Sequence, residues 1–199
     1  MMMKKQLLSV TLGLGLITFG VQAQEKMDHS KMDHSKMDHS QMEQIMSYDA
    51  PKDFQQQLAS VYKASLDLKE AFVTSDTTQV RKAVSPVQDA LFAVDMKLLD
   101  DKAHTAWMDQ LKTLKSSLTA IDRANAIDAQ RTNFANFSQA LYQSVKSFGI
   151  AGETAYYQYC PMANDNQGAY WLSDNKKIRN PYFGDKMLTC GSTKETINE

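Results

Sequence analysis

The sequence lacks the features that mark several large functional classes. Its formal net charge is −1, so it has no basic excess of the kind that binds nucleic acid or anionic membranes. Its 199 residues include only two cysteines and four histidines, and three of those histidines fall between positions 29 and 39. It has no Ser/His/Asp nucleophile signature, no glycine-rich phosphate loop and no HExxH motif. We therefore expect neither an enzyme nor a nucleic-acid-binding protein.

Long apolar runs are also scarce, and the longest lies at the N-terminus. Lys4 and Lys5 precede an apolar stretch from Leu7 to Gly20, followed by a VQA motif that ends at Ala23. This pattern predicts a secretory signal peptide, residues 1–23, that is cleaved after Ala23. The alternative is an uncleaved membrane anchor, but a span needs about 20 apolar residues. We expect a periplasmic protein with no stable membrane insertion after cleavage.

Residues 24–47 form a segment without aromatic residues. A five-residue unit, MDHSK or MDHSQ, occurs three times between Met27 and Gln41, and the only branched aliphatic residue of the segment is Ile45. Such a segment cannot bury enough apolar surface to offset the entropy of ordering. The sequence therefore predicts a disordered tail over residues 24–47 and a folded domain over residues 48–199.

The tail combines side chains that bind soft and borderline metal ions. Thioether sulfur favours Cu(I) or Ag(I), whereas imidazole suits Cu(II), nickel or zinc. The alternative is a low-complexity linker that expanded by slippage, but a linker needs neither methionine nor histidine. We predict copper, as Cu(I) or Cu(II), with silver or zinc as alternatives. The predicted ligands in the tail are Met27, His29, Met32, His34, Met37, His39, Met42 and Met46.

The rest of the chain predicts a mainly α fold. Apolar residues recur at helical spacing in four stretches, which begin near residues 52, 76, 101 and 128 and end near residues 73, 98, 121 and 148. Pro86 lies inside the second stretch and is expected to kink or split that helix. Four amphipathic helices with short connections predict a four-helix antiparallel bundle.

After Gly152 the composition shifts to aromatic and turn residues. Residues 156–159 and 169–172 are predicted as short strands, with turns at residues 165–168 and 180–181. We therefore expect a small C-terminal loop or β-hairpin unit packed on the bundle. Its aromatic side chains are interpreted as packing residues rather than as a binding platform.

Both cysteines lie in this C-terminal unit, and each has a methionine nearby. Cys160 and Met162 belong to one segment, and Met187 and Cys190 to another. If the two segments meet, they would form a set of two thiolates and two thioethers that suits Cu(I). The alternative is a structural disulfide between Cys160 and Cys190, with both methionines filling core space. One pair could also alternate between the two states. His104, on the third helix, is not expected to be a ligand.

The elements CPMA, AYWLS, NPYFG and MLTCG, preceded by WMDQL and QRTNFANFS, resemble a domain of unknown function. That domain occurs alone in exported proteins and also attached to periplasmic adaptor subunits of heavy-metal efflux pumps. The resemblance covers about residues 54–191 and implies a copper or heavy-metal context, with Cys160, Met162, Met187 and Cys190 as the site. The tail is similar to the Met/His-rich segments of periplasmic copper-resistance proteins.

These observations predict a periplasmic copper-binding protein that acts as a buffer, a chaperone or a feeder of an efflux system. The alternative prediction is an interaction module that docks on a heavy-metal efflux adaptor and contains a structural Cys160–Cys190 disulfide.

Overall fold

The structure, a computed structural model, describes residues 45–198. The predicted signal peptide, the repeat and the disorder of the tail up to residue 44 lie outside the described residues. The helices are α1 (Lys52–Val73), α2 (Thr77–Phe92), α3 (Asp101–Arg123) and α4 (Ile127–Phe148). The strands are β1 (Thr154–Cys160), β2 (Ala169–Ser173) and β3 (Ser192–Asn198). The predicted fold class, a helical bundle followed by a small β unit, is confirmed.

Two of the four helices, α2 and α3, begin at aspartates that cap free backbone amides. Asp76 precedes α2, and its side chain accepts hydrogen bonds from the amides of Thr78, at 2.8 Å, and Gln79, at 3.2 Å. Asp100 caps α3 in the same way, accepting from the amide of Ala103 at 2.9 Å. Such caps contribute about 1 kcal/mol each. Among the helices of residues 45–198, none has both the length and the apolar character that a membrane span requires.

The second helix is uninterrupted and shorter than predicted. It continues through Pro86, so of the kink or split expected there the split is wrong. The buried neighbours Val84 and Val87 hold this helix against the bundle, which offsets the roughly 3 kcal/mol cost of an internal proline. The helix also ends at Phe92 rather than near residue 98. The chain then forms a 3₁₀ turn, Met96–Leu98, which accounts for the apolar spacing that the sequence shows there.

An aromatic cluster forms the centre of the bundle. Trp107 of α3 contacts Phe54 of α1 edge to face at 5.3 Å and Phe148 of α4 at 5.9 Å, measured between ring centroids. Tyr48 stacks on Phe148 at 5.4 Å, and its amide donates to the carbonyl of Ser147 at 2.7 Å. Aromatic pairs of this kind contribute about 0.5–1.5 kcal/mol each beyond their burial. The chain just before α1 is therefore packed on the bundle.

The β unit is a three-stranded antiparallel sheet with the order β2-β1-β3. The predicted hairpin is confirmed, and its register pairs Tyr159 with Tyr170 and Cys160 with Ala169. The connection is not an ordinary turn, because the consecutive residues 164–166 all have φ between 51° and 64°. Strand β3 was not predicted, since its sequence STKETIN is polar and mostly exposed.

The loop between β2 and β3 docks on the bundle through Arg131 of α4. Its Nε donates to the carbonyl of Pro181 at 3.0 Å, and its Nη2 donates to Oγ of Ser75 at 2.8 Å. Gly184 has φ +57°, and a Cβ at that position would lie 2.5 Å from the carbonyl oxygen of Val73. Only glycine fits such a close approach between two backbones. The loop is therefore fixed against the end of α1.

Aromatic contacts join the same loop and the strands to α4. Tyr182 is buried, and its ring lies 5.7 Å from Phe134 and 6.0 Å from Trp171. Its hydroxyl donates to the carbonyl of Tyr170 at 2.7 Å. Tyr157 of β1 stacks on Tyr142 of α4 at 3.7 Å. The helices and the sheet thus share one core.

A charged cluster fastens β3 to the same helix. Glu195 accepts hydrogen bonds from the hydroxyl of Tyr142 and from Nζ of Lys146, both at 2.7 Å. Burial by itself would raise the pKa of Glu195, but these two hydrogen bonds outweigh it and lower that pKa. The carboxylate therefore stays ionised at neutral pH and keeps the mostly polar strand in place.

Candidate functional site

The two cysteines, 30 residues apart in sequence, meet at the end of the sheet. Cys160 is the last residue of β1, and Cys190 lies two residues before β3 begins. Antiparallel pairing places Tyr159 opposite Ser192, so the residues that follow and precede this pair converge. The two Sγ atoms are 3.1 Å apart, with no disulfide between them in the structure. The structure therefore brings together the two cysteines predicted as site residues.

The two thiols differ in access to solvent. Cys160 is fully buried, whereas Cys190 is only partly buried. The hydrogen bond between the thiols, followed by burial, raises the pKa of Cys190 above its usual range. At neutral pH Cys190 is therefore a protonated thiol. Any metal that binds it must displace that proton, so binding at this site strengthens as pH rises.

The position of Cys190 is set by the buried side chain of Asn180. Its Nδ2 donates to the carbonyl of Cys190 at 2.8 Å, and its Oδ1 accepts from the amide of Tyr182 at 2.8 Å. The backbone amide of Asn180 also donates to the carbonyl of Leu188 at 2.8 Å. Asn180 thus ties together the two ends of the loop that carries Cys190. The sequence indicated only a turn at this residue, because asparagine before proline is a common turn signal.

A glycine lets the chain pass close to β1 directly after Cys190. Gly191 has φ +136°, and a Cβ there would lie 2.8 Å from the carbonyl oxygen of Tyr159 and 3.0 Å from the ring of Trp171. On the other side, the amide of Cys190 donates to the carbonyl of Met187 at 3.1 Å. The thiol of Cys190 is therefore held by backbone contacts on both sides.

The two neighbouring methionines occupy different environments. Met162 is 44% exposed, so it does not fill core space. It lines a cleft of about 400 Å³ together with Arg131, Asp165 and Phe183. Met187 is partly buried and follows the 3₁₀ turn Gly184–Lys186. Met162 is thus an accessible thioether two residues from Cys160.

The thiol pair alone does not make up a complete metal site. Within residues 45–198, no group of three or more His, Cys, Asp or Glu side chains is arranged to hold a metal ion. A structural zinc site needs four such ligands, so the thiol pair alone does not supply one. Two thiol sulfurs are soft donors of the kind that Cu(I) and Ag(I) prefer, and Met162 and Met187 lie two and three residues from them in the sequence.

The other predicted site residues are placed as follows. Met46 is 67% exposed and lines a groove of about 340 Å³ with Ile45 and Tyr48, between α3 and α4. His104 lies on α3 and is partly buried. The remaining tail residues lie outside the described range, namely Met27, His29, Met32, His34, Met37, His39 and Met42.

The aromatic residues of the β unit serve as packing residues, as the sequence predicts for this cluster. Tyr157, Trp171 and Tyr182 are all buried. Tyr170 is partly exposed and stacks on Tyr157 at 4.6 Å. These side chains therefore belong to the core that joins the strands to the bundle.

Comparison with known sequences identifies one relationship. Searches of curated proteins and of solved structures gave no significant match. A family model described as "Protein of unknown function (DUF3347)" matches residues 61–153, a little less than half of the chain. This range runs from within α1 to just before β1. Over residues 61–153 the chain is thus similar to a family whose function is not defined.

Proposed function

We propose that the protein is an exported soft-metal-binding protein whose cargo is copper, acting as a buffer, a chaperone or a feeder of an efflux system. The observation that supports this proposal is the 3.1 Å contact between the Cys160 and Cys190 thiols, of which only Cys190 reaches the surface. In this proposal the protein acts by binding rather than by catalytic turnover.

The two parts of the chain have separate roles in the proposal. The Met- and His-containing repeat captures ions with fast exchange, since its donors need no deprotonation at neutral pH. The thiol pair holds one ion more tightly, because thiolate is the stronger soft ligand. Cys190 is the entry point, and the thioethers of Met162 and Met187 are candidates for completing the coordination.

Removal of residues 27–42 is expected to lower the number of copper ions bound per protein, because it deletes four methionines and all three repeat histidines. The fold should stay intact, since Ile45 and Tyr48, which pack on the bundle, are retained. Metal analysis after Cu(I) loading measures the number of copper ions bound per protein, and circular dichroism checks that the fold is intact. The matched control keeps the length of the segment and replaces its Met and His residues by Ser. Unchanged stoichiometry in both variants would remove the tail from the proposal.

Loss of the thiol pair is expected to abolish the tightest copper site. Cys160→Ala suits the buried position, and Cys190→Ser suits the partly exposed one. In the protein without residues 27–42, each variant should lose Cu(I) in competition with a chromogenic chelator that the parent protein withstands. Thr189→Ala, next to Cys190, is the matched control and should bind as the parent does. A reduced parent protein that also fails to retain Cu(I) or Ag(I) would refute the role of the pair.

The same geometry supports a second candidate function. In it, the protein is an interaction module that docks on a periplasmic efflux adaptor, and Cys160–Cys190 is a structural disulfide. The two thiols lie close together, and a hydrogen bond from Asn180 fixes the backbone of Cys190. Both features are compatible with a permanent structural disulfide. A thiol count on protein freshly isolated from the periplasm discriminates between the two. No free thiol, together with no metal uptake after reduction of the tail-deleted protein, favours the module.

A further inference from the structure

We propose that the Cys160–Cys190 pair donates electrons to Cu(II), closing to a disulfide as it delivers copper in the Cu(I) state. The inference rests on the proposed function in one respect, namely that copper reaches the site. It adds a reaction to that binding function. The reaction is a single turnover that leaves the pair oxidised until a thiol donor reduces it.

The distance between the two thiols is suited to formation of a disulfide bond. The two Sγ atoms are 3.1 Å apart, and a disulfide bond is about 2.05 Å long, so the sulfurs need to approach by about 1 Å. Cys160 is fixed in the central strand β1, whereas Cys190 lies outside any strand. The movement therefore falls on Cys190, whose loop remains attached through Asn180.

The unequal burial of the thiols assigns a role to each. Cys190, the accessible thiol, meets the incoming ion and loses its proton as the ion binds. Cys160, which solvent does not reach, completes the bond from inside the protein. Because Cys160 is buried, a thiol of another molecule cannot reach it, and closure of the disulfide within one chain is favoured.

The reaction balances with Cu(II) as the oxidant. Two thiols and two Cu(II) ions give one disulfide, two Cu(I) ions and two protons. Each Cu(II) accepts one electron, the two S–H bonds break, one S–S bond forms, and both protons leave to solvent. No further reactant is required.

The products explain how the ion would leave the site. A disulfide no longer offers thiolate ligands, so the pair loses its hold on copper as it oxidises. Cu(I) is the state that thioether sulfur prefers, and Met162 presents an exposed thioether two residues from Cys160. Oxidation of the pair therefore frees Cu(I), for which the exposed thioether of Met162 is an acceptor of the right chemistry.

The test mixes the reduced mature protein with two equivalents of Cu(II) under anaerobic conditions. Cu(I) is measured with a chromogenic chelator, and remaining thiols are counted over the same time course. We expect two Cu(I) ions per protein, loss of both thiols and a monomeric product. In a second series with Cu(II) held at one concentration in excess of the protein, the observed rate constant should not depend on protein concentration, because the disulfide closes within one chain.

The control is Cys160→Ala, which keeps the accessible Cys190. We expect it to react at least about tenfold more slowly at micromolar protein, with a rate that rises with concentration and with disulfide-linked dimers as the product. The double variant Cys160→Ala/Cys190→Ser gives the background from the tail. Equal rates in the parent and Cys160→Ala, or persistence of both thiols in the parent, would overturn the inference.

A parallel experiment offers Cu(I) directly to the reduced protein. If the protein retains Cu(I) but does not reduce Cu(II), this inference fails and the proposed binding function stands. If it reduces Cu(II) with the expected stoichiometry but retains no Cu(I), the electron transfer stands and the binding function fails. The two proposals can therefore fail separately.

Discussion

Formation of the Cys160–Cys190 disulfide is expected to raise the thermal midpoint of the folded domain by roughly 10 °C over that of the reduced protein. A cross-link between residues 30 positions apart restricts the unfolded chain and stabilises the fold by about 3–4 kcal/mol. In a domain of this size each 1 kcal/mol moves the midpoint by about 2–4 °C. The small movement needed to close the bond should add little strain.

Thermal unfolding followed by circular dichroism, with and without a reductant, measures this difference. Cys190→Ser is the matched control, because it retains the bundle and its contacts but cannot form the bond. Its midpoint should lie near that of the reduced protein and should not respond to the reductant. If the oxidised and reduced parent proteins unfold at the same temperature, the pair contributes nothing as a cross-link.

Asn180→Ala is expected to lower the free energy of unfolding by about 2–4 kcal/mol and to slow disulfide formation. The substitution removes a donor to the carbonyl of Cys190 and an acceptor for the amide of Tyr182, both bonded at 2.8 Å. Each buried partner left without a hydrogen bond costs about 1–3 kcal/mol. The segment that carries Cys190 also loses its anchor, so the two thiols meet less often.

Urea unfolding of the reduced protein gives the loss of stability, and oxidation by glutathione disulfide gives the rate of bond formation. Asn136→Ala on the exposed face of α4 is the control and should change stability by no more than about 0.5 kcal/mol. A variant at position 180 that is destabilised yet oxidises at the parent rate would show that Asn180 supports the fold without positioning Cys190. A variant with unchanged stability would contradict the assigned hydrogen bonds.

The helices were predictable because their signals are local. The apolar stripe of α1 gave its bounds as observed, and Asp76 marked the start of α2. The end of α2 was misplaced because Val94 and Leu98 continue the helical spacing, although a non-helical segment carries them into contact with the core. Periodicity reports which residues face the core but not which backbone conformation brings them there.

The site was only partly predictable because its geometry depends on non-local pairing. The sequence placed both cysteines in one unit but left open a disulfide, a metal site or both. Their approach follows from the pairing of β1 with β3, and β3 has no apolar alternation that would have revealed it. The role of Asn180 was missed for a related reason, since its partners are backbone groups whose positions no residue pattern specifies.

The aromatic contacts between the helices and the sheet have a consequence for where the protein can be divided. The match to the family model ends at residue 153, but Phe134 packs on Tyr182 and Tyr142 stacks on Tyr157, beyond that limit. At the other end, Trp107 packs on Phe54, which precedes the matched range. A fragment cut at residues 61 and 153 would expose these rings to water and tend to aggregate. The stretch that the family model matches is thus shorter than the stretch that must fold together.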